Sequence, residues 1–211
     1  MILRMIKSAY EKYLLPKLLD TCCSTKPVNY QRKKIVPHAA GTILEIGIGS
    51  GLNIPFYDKS KVEKIYGLDP SPELCEMAKQ AADKNEINID FLLNGAEEIK
   101  LKSNSIDTVL LTYTLCTIPN PFDALREIKR VMKSDARILF CEHGIAPDKK
   151  VLKWQNRINP IWGKLFGGCN INRDIPNIFL ENGFKISNLE QMYLPSTPKI
   201  VGYNYWGNAE I

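Results

Sequence analysis

Apolar positions along this chain follow two periods. Compact hydrophobic blocks at 42–47, 62–69, 87–93, 106–112 and 136–141 alternate with stretches where apolar residues recur every three or four positions. The first pattern predicts buried strands and the second amphipathic helices. Residues 2–15 put Ile2, Ile6, Ala9 and Tyr13, with Leu3, Tyr10 and Leu14, on one face and Arg4, Lys7, Glu11 and Lys12 on the other. That predicts a helix ending near Pro16. Another is expected from Gly51 to about Tyr57. Ser71-Pro72-Glu73 reads as a capped helix start, with Leu74, Met77, Ala78 and Ala81 as the apolar face. Asn120-Pro121 opens a further helix, with Phe122, Leu125, Ile128 and Met132 inward.

Strict alternation of strand and helix predicts a parallel sheet covered on both faces. The block 106–112 is apolar nearly throughout, as expected of a strand buried on both sides. From about 146 to 172 the alternation breaks. Trp154, Pro160, Trp162, Phe166 and Gly167-Gly168 read there as an irregular insertion or lid. A helix at about 174–182 and strands at 183–193 and 199–206 follow, so the sheet is expected to gain one antiparallel member. The domain reading is a helical cap at 1–40 and one α/β domain at 41–211.

Composition narrows the class. Hydrophobic and charged fractions of 45% and 24% belong to a folded globular chain. A formal charge of +5 permits anionic surfaces without demanding nucleic acid. No basic stripe with stacking aromatics stands out, so no nucleic-acid partner is expected. The six cysteines form no C-x-x-C pair, and with only two histidines no zinc spacing can be read along the sequence. The expectation is therefore no metal, reduced thiols and a cytoplasmic chain. Residues 1–19 carry five charges and read as neither signal peptide nor membrane span. Two roles stay open for the basic N-terminal helix. It packs on the domain edge, or it touches an anionic membrane or covers a lipophilic acceptor. Nothing in the sequence speaks to oligomeric state.

The chemistry is concentrated in Leu44-Glu45-Ile46-Gly47-Ile48-Gly49-Ser50-Gly51 and Tyr66-Gly67-Leu68-Asp69. Glycines at alternate positions let the backbone turn tightly and approach a ligand. An acid at the tip of the next strand can accept hydrogen bonds from ribose hydroxyls. The dinucleotide fingerprint spaces its glycines G-x-G-x-x-G, but here the third comes one residue early and Leu52 occupies its place. A nicotinamide-linked oxidoreductase is disfavoured on that ground.

The G-x-G-x-G spacing preceded by Glu45 resembles the first motif of class I S-adenosylmethionine methyltransferases. Asn94-Gly95-Ala96-Glu97, Ser105-Ile106-Asp107-Thr108-Val109 and the helix 125–133 resemble later motifs of that family. Thr114-Leu115-Cys116, Glu142-His143, Trp154-Gln155, Pro160, Trp162 and Gly168-Cys169 are similar to a group that includes the membrane-associated alkyl-thiol S-methyltransferases of animals. The resemblance implies a Rossmann-like, seven-stranded, mostly parallel sheet with one antiparallel strand and helices on both faces. It implies S-adenosylmethionine as cofactor. Two features depart from the family pattern: Gly95 stands where many relatives carry an acid, and Ser134-Asp135-Ala136 replaces the usual Pro-Gly-Gly turn.

The expected cofactor residues are Glu45, Gly47, Gly49, Gly51, Asn53, Asp69, Pro70, Gly95, Ala96, Glu97, Thr112 and Leu115. Tyr13, Cys116, His143 and Trp154 are the expected acceptor pocket. Each has a plainer alternative. The plainer reading makes Glu45 and Asp69 helix caps, although Ser71 can cap its helix itself, and makes Glu97 a helix start. His143 is either the base that takes a proton from a thiol or a histidine fixing the lid loop. Cys116 is read as a small wall residue, since direct transfer needs no covalent enzyme intermediate. The aromatic group is a pocket or a packed lid. The expected acceptor is small and lipophilic, with an alkyl thiol as first choice and a lipid headgroup or quinone as the alternative. A cofactor-binding module without turnover is the rival from outside catalysis.

Overall fold

The computed structural model of the protein describes residues 9–211. Strands β1 (Gly41–Ile46), β2 (Val62–Leu68), β3 (Ile89–Leu92), β4 (Ile106–Thr112), β5 (Met132–His143), β6 (Lys185–Tyr193) and β7 (Tyr203–Glu210) form one sheet. Its order is β3-β2-β1-β4-β5-β7-β6. β7 runs antiparallel to both neighbours, and the remaining pairings are parallel. From β1 the chain winds outward one way through β2 and β3, and from β4 the other way. A crevice opens where winding reverses, at the carboxyl ends of β1 and β4.

Helices are α1 (Leu15–Cys23), α2 (Lys26–Ile35), α3 (Pro72–Lys84), α4 (Pro121–Val131), α5 (Lys149–Leu165), α6 (Ile175–Glu181) and the single turn α7 (Lys199–Gly202). Strand side chains alternate between faces, which sorts the core into two halves. Leu44, Ile46, Val109, Leu111 and Phe140 meet Leu125 and Ile128 of α4 and Phe179 of α6. Ile43, Ile65, Leu110 and Leu139 meet Ile35 of α2 and Ala78 and Ala82 of α3. The sheet is thus covered on both faces, and α2 belongs to the same core as β1.

The helix starts follow the sequence signals. Ser71 Oγ accepts from Leu74 N at the head of α3. Asn120 Oδ1 accepts from Phe122 N and Asp123 N at the head of α4. Other expectations are corrected. The N-terminal helix does not end at Pro16: a π-turn at Tyr10–Leu14 leads directly into α1, and Pro16, which has no N–H to donate, sits where the two meet. Ile2, Leu3, Arg4, Ile6 and Lys7 lie outside the described residues. After Gly51 there is only a 3-10 turn, Ile54–Phe56, with Pro55 inside it. Buried positions of α3 are Cys75, Ala78 and Ala82. In α4, Ala124 and Val131 are buried, whereas Phe122 is 44% exposed and Met132 already opens β5.

The span read as an irregular insertion is mostly helix. α5 holds 17 residues and tolerates Pro160. Its fixed point is Gln155, a fully buried amide. Gln155 Oε1 accepts from Ala146 N at 3.0 Å, and Nε2 donates to the carbonyls of Gly144, Ile171 and Ile200 at 3.0, 2.8 and 3.1 Å. One side chain thus ties α5 to the loops on either side. The span 199–206 divides into α7 and the start of β7. No described helix is long and apolar enough to cross a membrane.

Candidate active site

The turn after β1 is a cradle of backbone. Gly47 takes φ +66°, and a Cβ there would fall 2.4 Å from Thr114 Cγ2, so both conformation and crowding demand glycine. Gly49 takes φ +56°, and its missing Cβ would meet no atom closer than 3.8 Å, because that side opens on the cavity. Asp69, at the tip of β2, locks the cradle. Its Oδ2 accepts from Gly49 N at 3.0 Å and its Oδ1 from Ser71 N at 2.9 Å. Burial raises its carboxyl, opposed by these two bonds. Each oxygen keeps lone pairs for further donors. The helix cap is Ser71, not Asp69.

Glu45 is buried and caps no helix. Its Oε1 accepts from Asn53 Nδ2 at 2.8 Å and its Oε2 from Tyr57 OH at 2.6 Å. Asn53 Nδ2 also reaches Thr112 Oγ1 at 2.8 Å, so strands β1 and β4 are cross-braced under the cradle. Burial pushes the Glu45 carboxyl up to about 7, against the Tyr57 and Asn53 hydrogen bonds and the Arg32 charge. Asn53 Oδ1 is buried with no partner.

A cavity of about 1190 Å³ opens above these residues. Single-ligand sites occupy roughly 300–1,000 Å³, so this one has room for a cofactor and an acceptor together. Glu45, Gly47, Gly49, Asn53, Asp69, Pro70, Gly95, Ala96, Glu97 and Thr112 line it. Glu97 also accepts from Asn120 N through Oε1. Gly51 and Leu115 are not among the lining residues. Gly51 packs on α3, where a Cβ would lie 3.0 Å from Ala78 Cα, and Leu115 is fully buried in the core.

The far end of the cavity differs from the sequence expectation. Tyr13 is 65% and Trp154 55% exposed, and neither lines it. Cys116 and His143 do not line it either. The roof is α1, through Leu15, Leu19, Asp20 and Cys23. Ile118, Pro119, Gly167 and Gly168 complete that end. Ser50 Oγ donates to Asp20 Oδ1 at 2.6 Å, Tyr10 OH donates to Leu165 O, and Gly167 lies against Leu15. The amphipathic period left two roles open for this segment, and covering the cavity was one of them; which residues do so, Leu15 to Cys23, could not be read because the helix was expected to end near Pro16.

Two further residues were missed. Arg32 is buried and lines the cavity, with its guanidinium 5.1 Å from the Tyr113 ring and Nε unpartnered. Tyr113 holds φ +56°, a costly conformation for an aromatic residue. Its N–H donates to Cys141 O and its OH to Asn204 Oδ1 at 2.6 Å. The bend there turns the N–H groups of Thr114 and Leu115 onto Glu142 Oε1, at 2.7 and 2.9 Å. Glu142 Oε2 is buried without a partner, and burial pushes this carboxyl up to about 8.

Behind the wall formed by Thr114, Thr117 and Gly168, three side chains converge. Cys169 Sγ lies 3.8 Å from Cys116 Sγ and 3.3 Å from His143 Nε2. Hydrogen bonding from Cys169 draws the Cys116 thiol well below its ordinary range. The His143 ring is raised: burial opposes its charge, and Cys116 outweighs that. Linear spacing excluded a metal set, but the fold assembles three ligand-type groups from residues 116, 143 and 169.

The lining fits an adenosyl-methionine group. Asp69 keeps acceptor capacity for vicinal hydroxyls. Glu45 and the unpartnered Asn53 Oδ1 suit an ammonium group. The buried Arg32 suits a carboxylate. Comparison with known proteins agrees. Residues 44–140 match the family described as "Methyltransferase domain". A thiol S-methyltransferase of Rattus norvegicus, TMT1B, is 30% identical over 170 residues, 76% of this chain and 69% of that protein. The human thiol S-methyltransferase TMT1A is 27% identical over 178 residues, covering 82% of this chain and 72% of its own. A putative methyltransferase of Bacillus halodurans has the same fold, with a TM-score of 0.70 at 13% identity, over 86% of this chain and 97% of that one.

Proposed function

Because this chain belongs to the class I S-adenosylmethionine-dependent methyltransferases, we propose that its methyl acceptor is a small lipophilic thiol. The observation that carries the proposal is an apolar patch of Leu15, Leu19, Ile118 and Pro119 at the far end of the cavity, set beside Glu11, Asp20 and Lys164. It suits an alkyl chain. Sulfur is intrinsically a strong nucleophile, so even the small thiolate fraction of such an acceptor is reactive once it is held in line with the methyl group. His143 lies behind the wall, so a base role for it is not part of this proposal. The rodent and human relatives named above, both thiol S-methyltransferases, point the same way.

S-adenosylmethionine supplies an electrophilic sulfonium methyl. The chain's part is to hold both reactants in line, at about 3–3.5 Å, away from water. Asp69 would hold the ribose, and Glu97 with Ala96 would border the base. Glu45, through the Asn53 brace, would orient the ammonium end, and Arg32 would offset the carboxylate. The α1 roof excludes water and seats the alkyl chain. A methyl acceptor on a lipid or quinone is a second reading. It is favoured by Leu14 and Leu165, both more than half exposed near the seam between the roof and α5.

The test is S-adenosylhomocysteine formation by the purified protein, with and without a short alkyl thiol. Thiol-dependent product is expected. No product from a sample shown to bind the cofactor overturns the thiol assignment and sends the search to quinones and lipids.

A further inference from the structure

We propose that Cys116, His143 and Cys169 form a zinc site with three protein ligands. The inference does not depend on which acceptor is methylated.

Geometry carries it. In a tetrahedral site with Zn–S near 2.3 Å and Zn–N near 2.0–2.1 Å, the edges measure about 3.8 Å between sulfurs and about 3.5 Å between sulfur and nitrogen. The observed separations are 3.8 Å for the two Sγ atoms and 3.3 Å from Cys169 Sγ to His143 Nε2. All three ligand atoms lie within 4.8 Å of one another. A cation can therefore enter with small side-chain adjustments.

The supporting shell is already in place. Cys116 follows β4, His143 ends β5, and Cys169 lies in the loop after α5. Asn170 N and Nδ2 both donate to Cys116 O, at 2.9 and 3.2 Å, which staples two of the ligand loops together. Gln155 grips Gly144 O and Ile171 O, holding the backbone beside His143 and Cys169. Ile171, Ile200 and Val201 pack round the sulfurs, as do Trp162 and Phe166, whose rings stack at 4.0 Å. The indole N–H of Trp162 is buried in that shell and faces the Cys169 thiol, its one nearby acceptor, without close hydrogen-bond geometry. A zinc-bound thiolate is a stronger acceptor for it, and outer donors of this kind tune metal sites.

The charges and protons balance. Zn²⁺ displaces the thiol protons of Cys116 and Cys169 to solvent, and neutral His143 donates through a ring nitrogen. The resulting centre is uncharged, which suits a buried place. A Cys₂His donor set is a known pattern for protein-bound zinc.

The test uses the full chain, kept reduced, in zinc-supplemented and metal-free forms. One zinc per chain, retained through gel filtration, is expected. Cobalt(II) added to the metal-free form is expected to give thiolate-to-metal charge-transfer absorption. Cys169→Ser and His143→Gln each weaken cobalt binding by at least about tenfold, while Cys22→Ser leaves it unchanged. Should the ligand variants fail to fold, the cobalt titration of the wild-type chain, competed by zinc, decides. Absence of both retained zinc and charge transfer overturns the site, as does loss of the signal in Cys22→Ser. A Cys116–Cys169 disulfide whose reduction restores no metal binding also overturns it and leaves a redox pair instead.

Discussion

Asp69 does two jobs with one carboxylate. It holds the cradle through Gly49 and Ser71, and in the proposed site its remaining lone pairs would take the ribose. In Asp69→Asn the amide N–H₂ faces a backbone N–H, and the charge is lost. A charged hydrogen bond is worth roughly 1.5–3 kcal/mol, so S-adenosylhomocysteine affinity is expected to fall about 10–100-fold by calorimetry. Unchanged affinity would remove Asp69 from the site. The buried acids make a second prediction. Glu45 and Glu142 are pushed up to about 7 and about 8, chiefly by burial, from an unfolded value near ~4.3. Between those values the native state holds more protons than the unfolded chain, so stability falls as pH rises. Glu127, held down by Arg130, acts oppositely below that window, and the lowered Cys116 thiol acts oppositely within it, offset in turn by the raised His143. With the two carboxylates dominant, the free protein is expected to lose on the order of a few kcal/mol of stability from pH 5 to 8 in urea titrations. Glu142→Gln flattens the upper part of that slope; an unaltered slope refutes the assignment.

At the scale of elements, α5 and the roof matter most. Gln155 satisfies four backbone groups with one amide, so Gln155→Leu strands them in the interior. A cost of several kcal/mol is expected in denaturant unfolding, at roughly 1–3 kcal/mol for each buried group left unpaired. A loss below about 0.5 kcal/mol, the range of ordinary surface changes, would show that α5 is held by other contacts. Ser50→Ala cuts the bond from the cradle to Asp20. Limited proteolysis is expected to become faster ahead of Thr25, with little change in melting temperature, and bound S-adenosylhomocysteine is expected to slow it again. Equal cleavage of variant and wild type would mean that the roof does not depend on this bond. These two elements also mark the limit of what the sequence discloses. Ser71 and Asn120 announce their helices through local chemistry, and the alternation of apolar blocks announces the sheet. The cradle is legible for the same reason: Glu45 through Asn53 are neighbours in the chain. Pro160 and the Gly167-Gly168 pair read as breakers, yet burial of Gln155 outweighs local propensity and α5 forms. Residues 116, 143 and 169 meet only through tertiary folding, so no spacing rule finds them. Tyr13 and Trp154 face outward, because residue type alone does not fix which face of a helix is buried.

For the molecule as a whole, a ligand that binds only the folded state raises stability by about 2.7 kcal/mol at a hundred times its dissociation constant. For a chain of this size that amounts to roughly 5–10 °C. S-adenosylhomocysteine is expected to produce a shift of that order in thermal unfolding, and NAD none. Equal shifts from both, or none from either, would contradict the cofactor assignment. The division of the cavity carries a further consequence for inhibitor design. The cradle at Gly47, Gly49 and Asp69 lies within residues 44–140, the part matched to the family, whereas Leu15, Leu19, Cys23 and Gly168 lie outside it. Adenosine mimics will therefore gain potency from features shared with many other enzymes. Selectivity must come from groups that extend beneath the roof, where this chain's own residues shape the space.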